Sequence, residues 1–163
     1  MANRDVKLSE GTVFSSVPTR IYQVAASATL IYEGEPVKKS AVEDAVVIKS
    51  ATAEPVTTDP TFCGIAASVS TNTATAAGTV QVYQPLPGQT YICAAHTVAN
   101  NDTQAKYDAL VGERVNFDLT STSFTIDENY SGATGGLVIV DLNVAKHPNM
   151  IAFRLRNTVL EEN

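Results

Sequence analysis

The stretch FTIDENYSGATGGLVIVDL, residues 124–142, holds the side chains that most plainly could do chemistry. The Asp-Glu-Asn run at 127–129 could ligate a metal ion, and Gly132, Gly135 and Gly136 could cradle a phosphate. Consecutive acidic residues point in different directions, however, and neither a lysine nor a helix follows the glycines. We therefore predict a long hairpin loop between two strands, in which the glycines supply positive φ angles.

The cysteines and histidines could form a zinc site, because Cys63, Cys93, His96 and His147 make a two-cysteine, two-histidine set. The spacing of Cys93 and His96 also resembles that of zinc ligands. Residues an odd number of positions apart on a strand point to opposite faces, so these two side chains are expected to diverge. We predict no metal site and two reduced thiols packed in apolar strands.

Two arginines near the end of the chain could contact a partner. Arg154 and Arg156 are two residues apart, so on a strand they share one face. They could bind an acidic partner surface, or they could be exposed gatekeepers on an edge strand. The sequence contains no serine-hydrolase, β-lactamase or metalloprotease motif. We therefore predict that the protein is not an enzyme and has no cofactor.

The elements that must position these residues are strands. Most of the chain has the two-residue hydrophobic period of half-buried strands, and PLPG at 85–88 is typical of the turns between them. NDTQAKYDALVG predicts one short helix near 103–111, with Asp102 as its cap and Gly112 after its end. The fold class is all-β, a single β-barrel or β-sandwich of about eight short strands. The residues predicted to form the core are Val115, Phe117, Leu119, Ile139, Ile151, Phe153 and Leu155.

The length of 163 residues predicts one domain preceded by an arm. Residues 1–19 are polar and predict an extended N-terminal arm, whereas residues 20–163 form a single β domain. An arm with so few apolar side chains is expected to be mobile in the free protein. Its apolar residues could anchor it on another chain by strand addition. These candidate partner contacts are Val6, Leu8, Val13 and Phe14.

The charge and hydropathy of the chain narrow its partners and location. A net charge of -6 with only 11 scattered basic residues disfavours direct binding of nucleic acid, which needs clustered Lys and Arg. No apolar run approaches the length of a transmembrane helix, and the N-terminus lacks the apolar region of a secretory signal. We expect synthesis in a cytosol-like compartment and no membrane contact.

Four stretches follow one another in the order IYEGEPV, AVVIKSAT, DPTFCGIAASVS and AAGTVQVYQPLPG. This order resembles that of the small decoration, or cementing, proteins of tailed-bacteriophage capsids. LVGERVNFDLTSTSFTIDEN and GGLVIVDLNV are similar to the second half of larger members, so the resemblance spans about residues 30–156. The residues that hold the family positions are Gly34, Val37, Phe62, Gly64, Ile65, Ala66, Gly78, Val80 and Val82.

The resemblance implies a structural virion protein that binds the outer surface of a phage capsid and stabilises it. It implies the major capsid protein as partner, leaves a homo-oligomer such as a trimer open, and places the protein on the virion after synthesis in the bacterial host cytoplasm. The family motifs carry over no catalytic residue. The alternative is a ligand- or carbohydrate-binding β-module or a fibre-associated domain, against which the absence of Trp and the aromatic content of 7% weigh.

Overall fold

The computed structural model is an all-β fold of two antiparallel sheets with one short α-helix, as the sequence predicts. The described residues are 6–8, 17–41, 47–50, 54–55, 61–120, 123–130 and 134–156. The strands are β1 (Lys7–Leu8), β2 (Thr19–Val24), β3 (Pro36–Lys39), β4 (Val47–Lys49), β5 (Phe62–Ala66), β6 (Gly78–Tyr83), β7 (Tyr91–Ala94), β8 (Arg114–Thr120), β9 (Ser123–Asp127), β10 (Leu137–Ile139) and β11 (Met150–Leu155). The helix, α1, is Gln104–Leu110.

The larger sheet has the order β1-β7-β11-β10-β8-β9 and carries most of the core. In its middle, Leu137 pairs with Val115 on one side and with Leu155 on the other, and all three side chains are buried. Phe117 and Phe153 stack edge to face at 5.5 Å across the core of this sheet. The predicted core residues are confirmed as buried except Leu119, which is half-buried.

The smaller sheet has the order β2-β6-β5-β3-β4, and it encloses a second core. Its two edge strands, β2 and β4, come close to one another, so the sheet is curled. The central strand β5 is buried along its whole length, because Phe62 and Ile65 pack in the larger core while Cys63 and Ala66 pack in the smaller one. β5 therefore joins the two cores.

A bulge at Gly64 produces this division of side chains. Phe62 and Ile65 are three residues apart and would point to opposite faces of a regular strand. The pairing of β5 with β3 shifts register between Val37 and Lys38, and Gly64 has φ +135° there. An extra residue in one strand inverts the alternation beyond it. Gly64 thus serves the bulge, as a glycine inside a strand pattern often does.

The helix lies where the sequence predicts it, but its cap differs. The side chain of Thr103 accepts a hydrogen bond from the backbone N–H of Lys106, so Thr103 is the N-cap. Asp102 instead forms an ion pair with the Lys106 ammonium group at 2.8 Å. Tyr107 fixes the helix on the larger sheet, because its hydroxyl donates to the carbonyl of Val140 at 2.8 Å and accepts from the backbone N–H of Ala152 at 2.9 Å.

Three features of residues 113–142 differ from what the alternation in the sequence indicates. The alternating run RVNFDLTSTSFTI is a hairpin of β8 and β9 and not one strand. The loop after β9 is consequently a crossover and not a hairpin loop, since β9 and β10 both flank β8. Asn116, which the alternation with Val115 and Phe117 would place toward solvent, is buried, and its side-chain oxygen accepts the backbone N–H of Gly136 at 3.0 Å.

The described part of the predicted N-terminal arm belongs to the fold. Lys7 and Leu8 pair with Ile92 and Tyr91 at the edge of the larger sheet. Val6 is buried in the larger core, and its backbone N–H donates to the carbonyl of Gly34 at 3.2 Å. Residues 6–8 are therefore held on the domain by strand pairing and by the burial of Val6.

Candidate functional site

Three arginines meet on the face of the larger sheet that points away from the core. Side chains alternate across a sheet, so the residues next to the buried row of Leu137 form an outward row. In that row Arg114 on β8 and Arg154 on β11 both pair with Val138 on the strand between them. Arg156 lies two residues after Arg154 and faces the same side. β-Pairing thus brings together side chains that are far apart in the sequence.

These arginines line an open groove of about 520 Å³. Val138 lies between Arg114 and Arg154 in the sheet register, and two glycines complete the groove wall. Gly88 belongs to the turn before β7, Gly112 follows α1, and a Cβ at either position would meet only open space. None of the described residues that line the groove carries a carboxylate. We call this site the arginine groove.

Hydrogen bonds hold the guanidinium groups of Arg154 and Arg156 in position. Nε of Arg154 donates to the hydroxyl of Thr90 at 3.0 Å, and Nη1 of Arg156 donates to the carbonyl of Gly135 at 3.1 Å. A guanidinium group has five N–H donors, so one such bond orients it and leaves most of its donors for other acceptors. The groove is therefore a pre-oriented set of donors.

Burial and a neighbouring like charge both affect the guanidinium group of Arg156 in the groove. Burial, and then the neighbouring charge of Arg114, hold the pKa of Arg156 below its usual range. A guanidinium nonetheless remains charged at neutral pH. Three of the five arginines of an acidic chain thus share one site, which makes it a local positive region on a protein of net charge -6.

The sequence identified two of the three arginines. Arg154 and Arg156 share a face as predicted, but β11 lies between β7 and β10, so the alternative of gatekeepers on an edge strand is wrong. Arg114 was missed because it opens a strand 40 residues earlier in the chain. The sequence around Arg114 shows only an arginine at the start of an alternating run. The strand pairing that brings Arg114 close to Arg154 involves residues far apart in the sequence.

The acidic run that suggested a metal site stabilises a turn. Glu128 is buried, and its carboxylate accepts the backbone N–H groups of His96 at 3.1 Å and Thr97 at 2.7 Å. The side-chain amide of Asn100 donates to the same carboxylate at 3.3 Å. Asp127 faces another way and accepts the backbone N–H of Asn129 at 3.1 Å. The Glu128 oxygens are therefore occupied by the segment that follows β7, and an Asp127 oxygen is occupied by the turn after β9.

Glu128→Gln is expected to lower the free energy of unfolding by about 2 kcal/mol, because charged hydrogen bonds are lost and an amide N–H₂ must face backbone donors. Denaturant unfolding measures this loss. The matched control is Glu113→Gln, an exposed residue, for which we expect a change within about 0.5 kcal/mol. Equal unfolding midpoints for the two variants would show that the Glu128 contacts do not stabilise the fold.

The glycines of the crossover loop allow backbones to approach and do not form a phosphate cradle. A Cβ on Gly136 would overlap the carbonyl of Pro55, and one on Gly135 would lie 2.8 Å from the backbone nitrogen of Val115. The N–H of Gly136 already donates to Pro55 and Asn116. Neither glycine has a positive φ angle, so the role predicted for them is wrong. Gly132 lies outside the described residues.

The cysteines and histidines occupy separate places. Cys63 packs in the smaller core, while Cys93 packs in the larger core and its thiol donates to the carbonyl of Phe124 at 3.4 Å. His96 lies 3.1 Å from the carboxylate of Asp118, and His147 is part of the turn before β11. In the described ranges, no group of three or more His, Cys, Asp or Glu side chains could hold a metal ion.

Of the partner contacts predicted in the N-terminal arm, Val6 and Leu8 lie among the described residues. Val6 packs in the core of its own chain, so it is not available to a partner in this arrangement. Leu8 lies on the edge strand β1, whose backbone pairs with β7. Val13 and Phe14 lie outside the described residues, and their role as partner contacts stays a prediction.

Comparison with known proteins adds no relative from which a role could be transferred: no family model, no curated protein and no solved structure matches the chain. In the part of the chain that the structure describes, no helix has the length and apolar character needed to cross a membrane. A functional interpretation therefore has to start from the arginine groove and from the sequence resemblance.

Proposed function

We propose that this protein binds the outer surface of a tailed-bacteriophage capsid and stabilises the shell as a decoration protein. The observation that carries the proposal is the clustering of the residues that resemble that family. They lie on the neighbouring strands β3, β5 and β6 and in the turn before β3, within the smaller sheet. Gly64, the centre of the Phe-x-Gly-Ile-Ala motif, forms the bulge that joins the two cores. The nine residues that hold the family positions thus lie in one part of the fold.

The arginine groove also supports a binding role. The arginine groove offers oriented cationic donors, and its described lining includes neither a carboxylate nor a nucleophile. The two sheets are joined through β5, the buried central strand of the smaller sheet. We expect such a joined fold to resist mechanical stress on a shell. In this proposal the major capsid protein is the partner, a homotrimer is one form the protein could take, and the location is the virion surface.

The copy number in purified particles and binding to undecorated shells test this proposal. We expect the protein to co-sediment with shells, to approach the copy number of the capsid subunits at saturation, and to raise the temperature at which the shells rupture. An unrelated acidic protein of similar size serves as the control, because it measures how much protein sediments with the shells without binding them. A protein that stays in the supernatant, or that is present only in the few copies of a portal or tail component, contradicts the proposal.

A ligand-binding β-module is the second candidate, and the size of the arginine groove favours it. Its volume of about 520 Å³ lies within the range of small-molecule sites. Its three arginines would select an acidic ligand, such as an oligosaccharide that bears carboxylates. Titration calorimetry with acidic and neutral oligosaccharides of equal length separates this candidate from the first, since only a ligand-binding module would bind the acidic sugar tightly without a shell.

A further inference from the structure

We propose that the arginine groove binds an extended, acidic segment of a partner protein, whose carboxylates pair with Arg114, Arg154 and Arg156. The identification of the partner as a capsid shell rests on the proposed function. The acidic character and the extended shape of the bound segment are inferred from the groove alone. The inference starts from the charge of the site, which is positive on a chain of net charge -6.

The spacing of the arginines fits an extended chain. Arg154 and Arg156 are two residues apart, which is about 7 Å along a strand. The side chains on one face of an extended peptide repeat at the same distance, so carboxylates at alternate positions would meet both guanidinium groups. Arg114 lies across β10 from Arg154, about two strand spacings or 10 Å away. It would contact the far side of the same segment.

The chemistry of the groove selects carboxylates. The planar guanidinium group presents two parallel N–H donors that match the two oxygens of a carboxylate. Thr90 and Gly135 each accept a single bond from Arg154 and Arg156, which orients these groups without saturating them.

The distribution of basic residues favours a protein segment over a nucleic acid. A nucleic-acid site needs a track of cations that follows the phosphate backbone. In the described residues, the other arginine, Arg20, and the lysine pair at 38–39 lie on the smaller sheet and do not line the groove. The three groove arginines span only about 10 Å, which suits two or three carboxylates.

Direct binding of a short peptide tests the inference without a shell. The probe is a fluorescent peptide with Glu at alternate positions, and its matched control has Gln at the same positions. We expect the Glu peptide to bind and the Gln peptide to bind at least about tenfold more weakly, because the charge-assisted bonds are lost. Affinity for the Glu peptide should fall as the salt concentration rises, because partly exposed charges are screened.

Substitutions in the groove localise the binding. The double variant Arg154→Gln, Arg156→Gln is expected to bind the Glu peptide at least about tenfold more weakly than the wild-type protein. Arg20→Gln is the matched control, since Arg20 lies over the ring of Tyr22 on the other sheet and its loss removes the same type of charge. The charge-reversed variant Arg154→Glu, Arg156→Glu should lose the Glu peptide and gain a peptide with Lys at alternate positions.

The outcomes for the peptide and for the shell are separable. Peptide binding that the groove substitutions weaken supports the inference, even if the wild-type protein fails to sediment with shells and the proposed function is thereby lost. Peptide binding that the groove substitutions do not weaken would overturn the inference, and sedimentation of the wild-type protein with shells would then leave the proposed function in place. Absence of peptide binding at about 1 mM, or tighter binding of a short single-stranded oligonucleotide in the same groove, would also overturn it.

Discussion

Replacing Phe117 with alanine is expected to lower the free energy of unfolding by about 3–5 kcal/mol, the usual cost of removing a buried aromatic ring. Phe117 is fully buried on β8, where it lies edge to face with Phe124 at 6.0 Å and with Phe153 at 5.5 Å. These two partners come from β9 and β11, so the lost ring would leave a cavity that three strands share. Denaturant unfolding of the purified variant measures the loss.

The control for Phe117→Ala is Ile21→Ala on the smaller sheet. Ile21 is 63% exposed, so its truncation should change the free energy of unfolding by no more than about 0.5 kcal/mol. A midpoint for Phe117→Ala that equals the wild-type value would mean that β8 has the opposite phase, with its even-numbered residues in the core. The burial of Val115 on the same strand would then also be incorrect.

The sequence predicts which side chains of a strand face the core wherever burial depends only on the two-residue alternation. Val80 and Val82 on β6, and Ile151 and Phe153 on β11, are buried as their two-residue period predicts. The helix was also predictable, because its amphipathic spacing and the glycine after its end are local signals. Gly112 has φ +90°, a conformation that few other residues adopt.

The parts that could not be predicted depend on contacts between distant segments. Asn116 is polar and alternates with core residues, so it reads as exposed until the N–H of Gly136 is placed against it. The run TSTS near residue 121 continues the alternation of its flanks, and nothing local shows that the chain reverses there. Arg114 joins Arg154 only because β10 pairs with both of their strands. Such register information is absent from the period of any single strand.

The nine residues that hold the family positions lie apart from the arginine groove, although the wider resemblance, about residues 30–156, also covers the strands of the groove. The family-like residues belong to the smaller sheet, and the groove belongs to β8, β10 and β11 of the larger one. The two cores both depend on β5, because this strand supplies side chains to each of them. Gly64 forms the bulge in this strand. A change at Gly64 should therefore disturb the whole molecule.

Gly64→Ala is expected to lower the free energy of unfolding by about 3 kcal/mol or more. Two costs add up: a residue with a side chain is strained at φ +135°, by about 1–3 kcal/mol, and overpacking costs a further 1–3 kcal/mol or so. The overpacking arises because the new Cβ would overlap the carbonyl of Tyr83 and lie 3.0 Å from Cγ1 of Val82. Both neighbours belong to β6, so β5 and β6 would have to separate where Ile65 pairs with Tyr83.

Gly88→Ala isolates the backbone contribution to this effect. Gly88 also has a positive φ angle, +79°, but a Cβ there meets nothing within 4 Å, so only strain of about 1–2 kcal/mol is expected. Denaturant unfolding of the two variants, with hydrogen exchange at the amides of β5 and β6, measures the difference. Faster exchange confined to Gly64→Ala would locate the damage at the contact between the two strands. A loss for Gly64→Ala no larger than that for Gly88→Ala would show that β5 and β6 do not approach as closely as the structure describes, and that this glycine serves only the turn of the backbone.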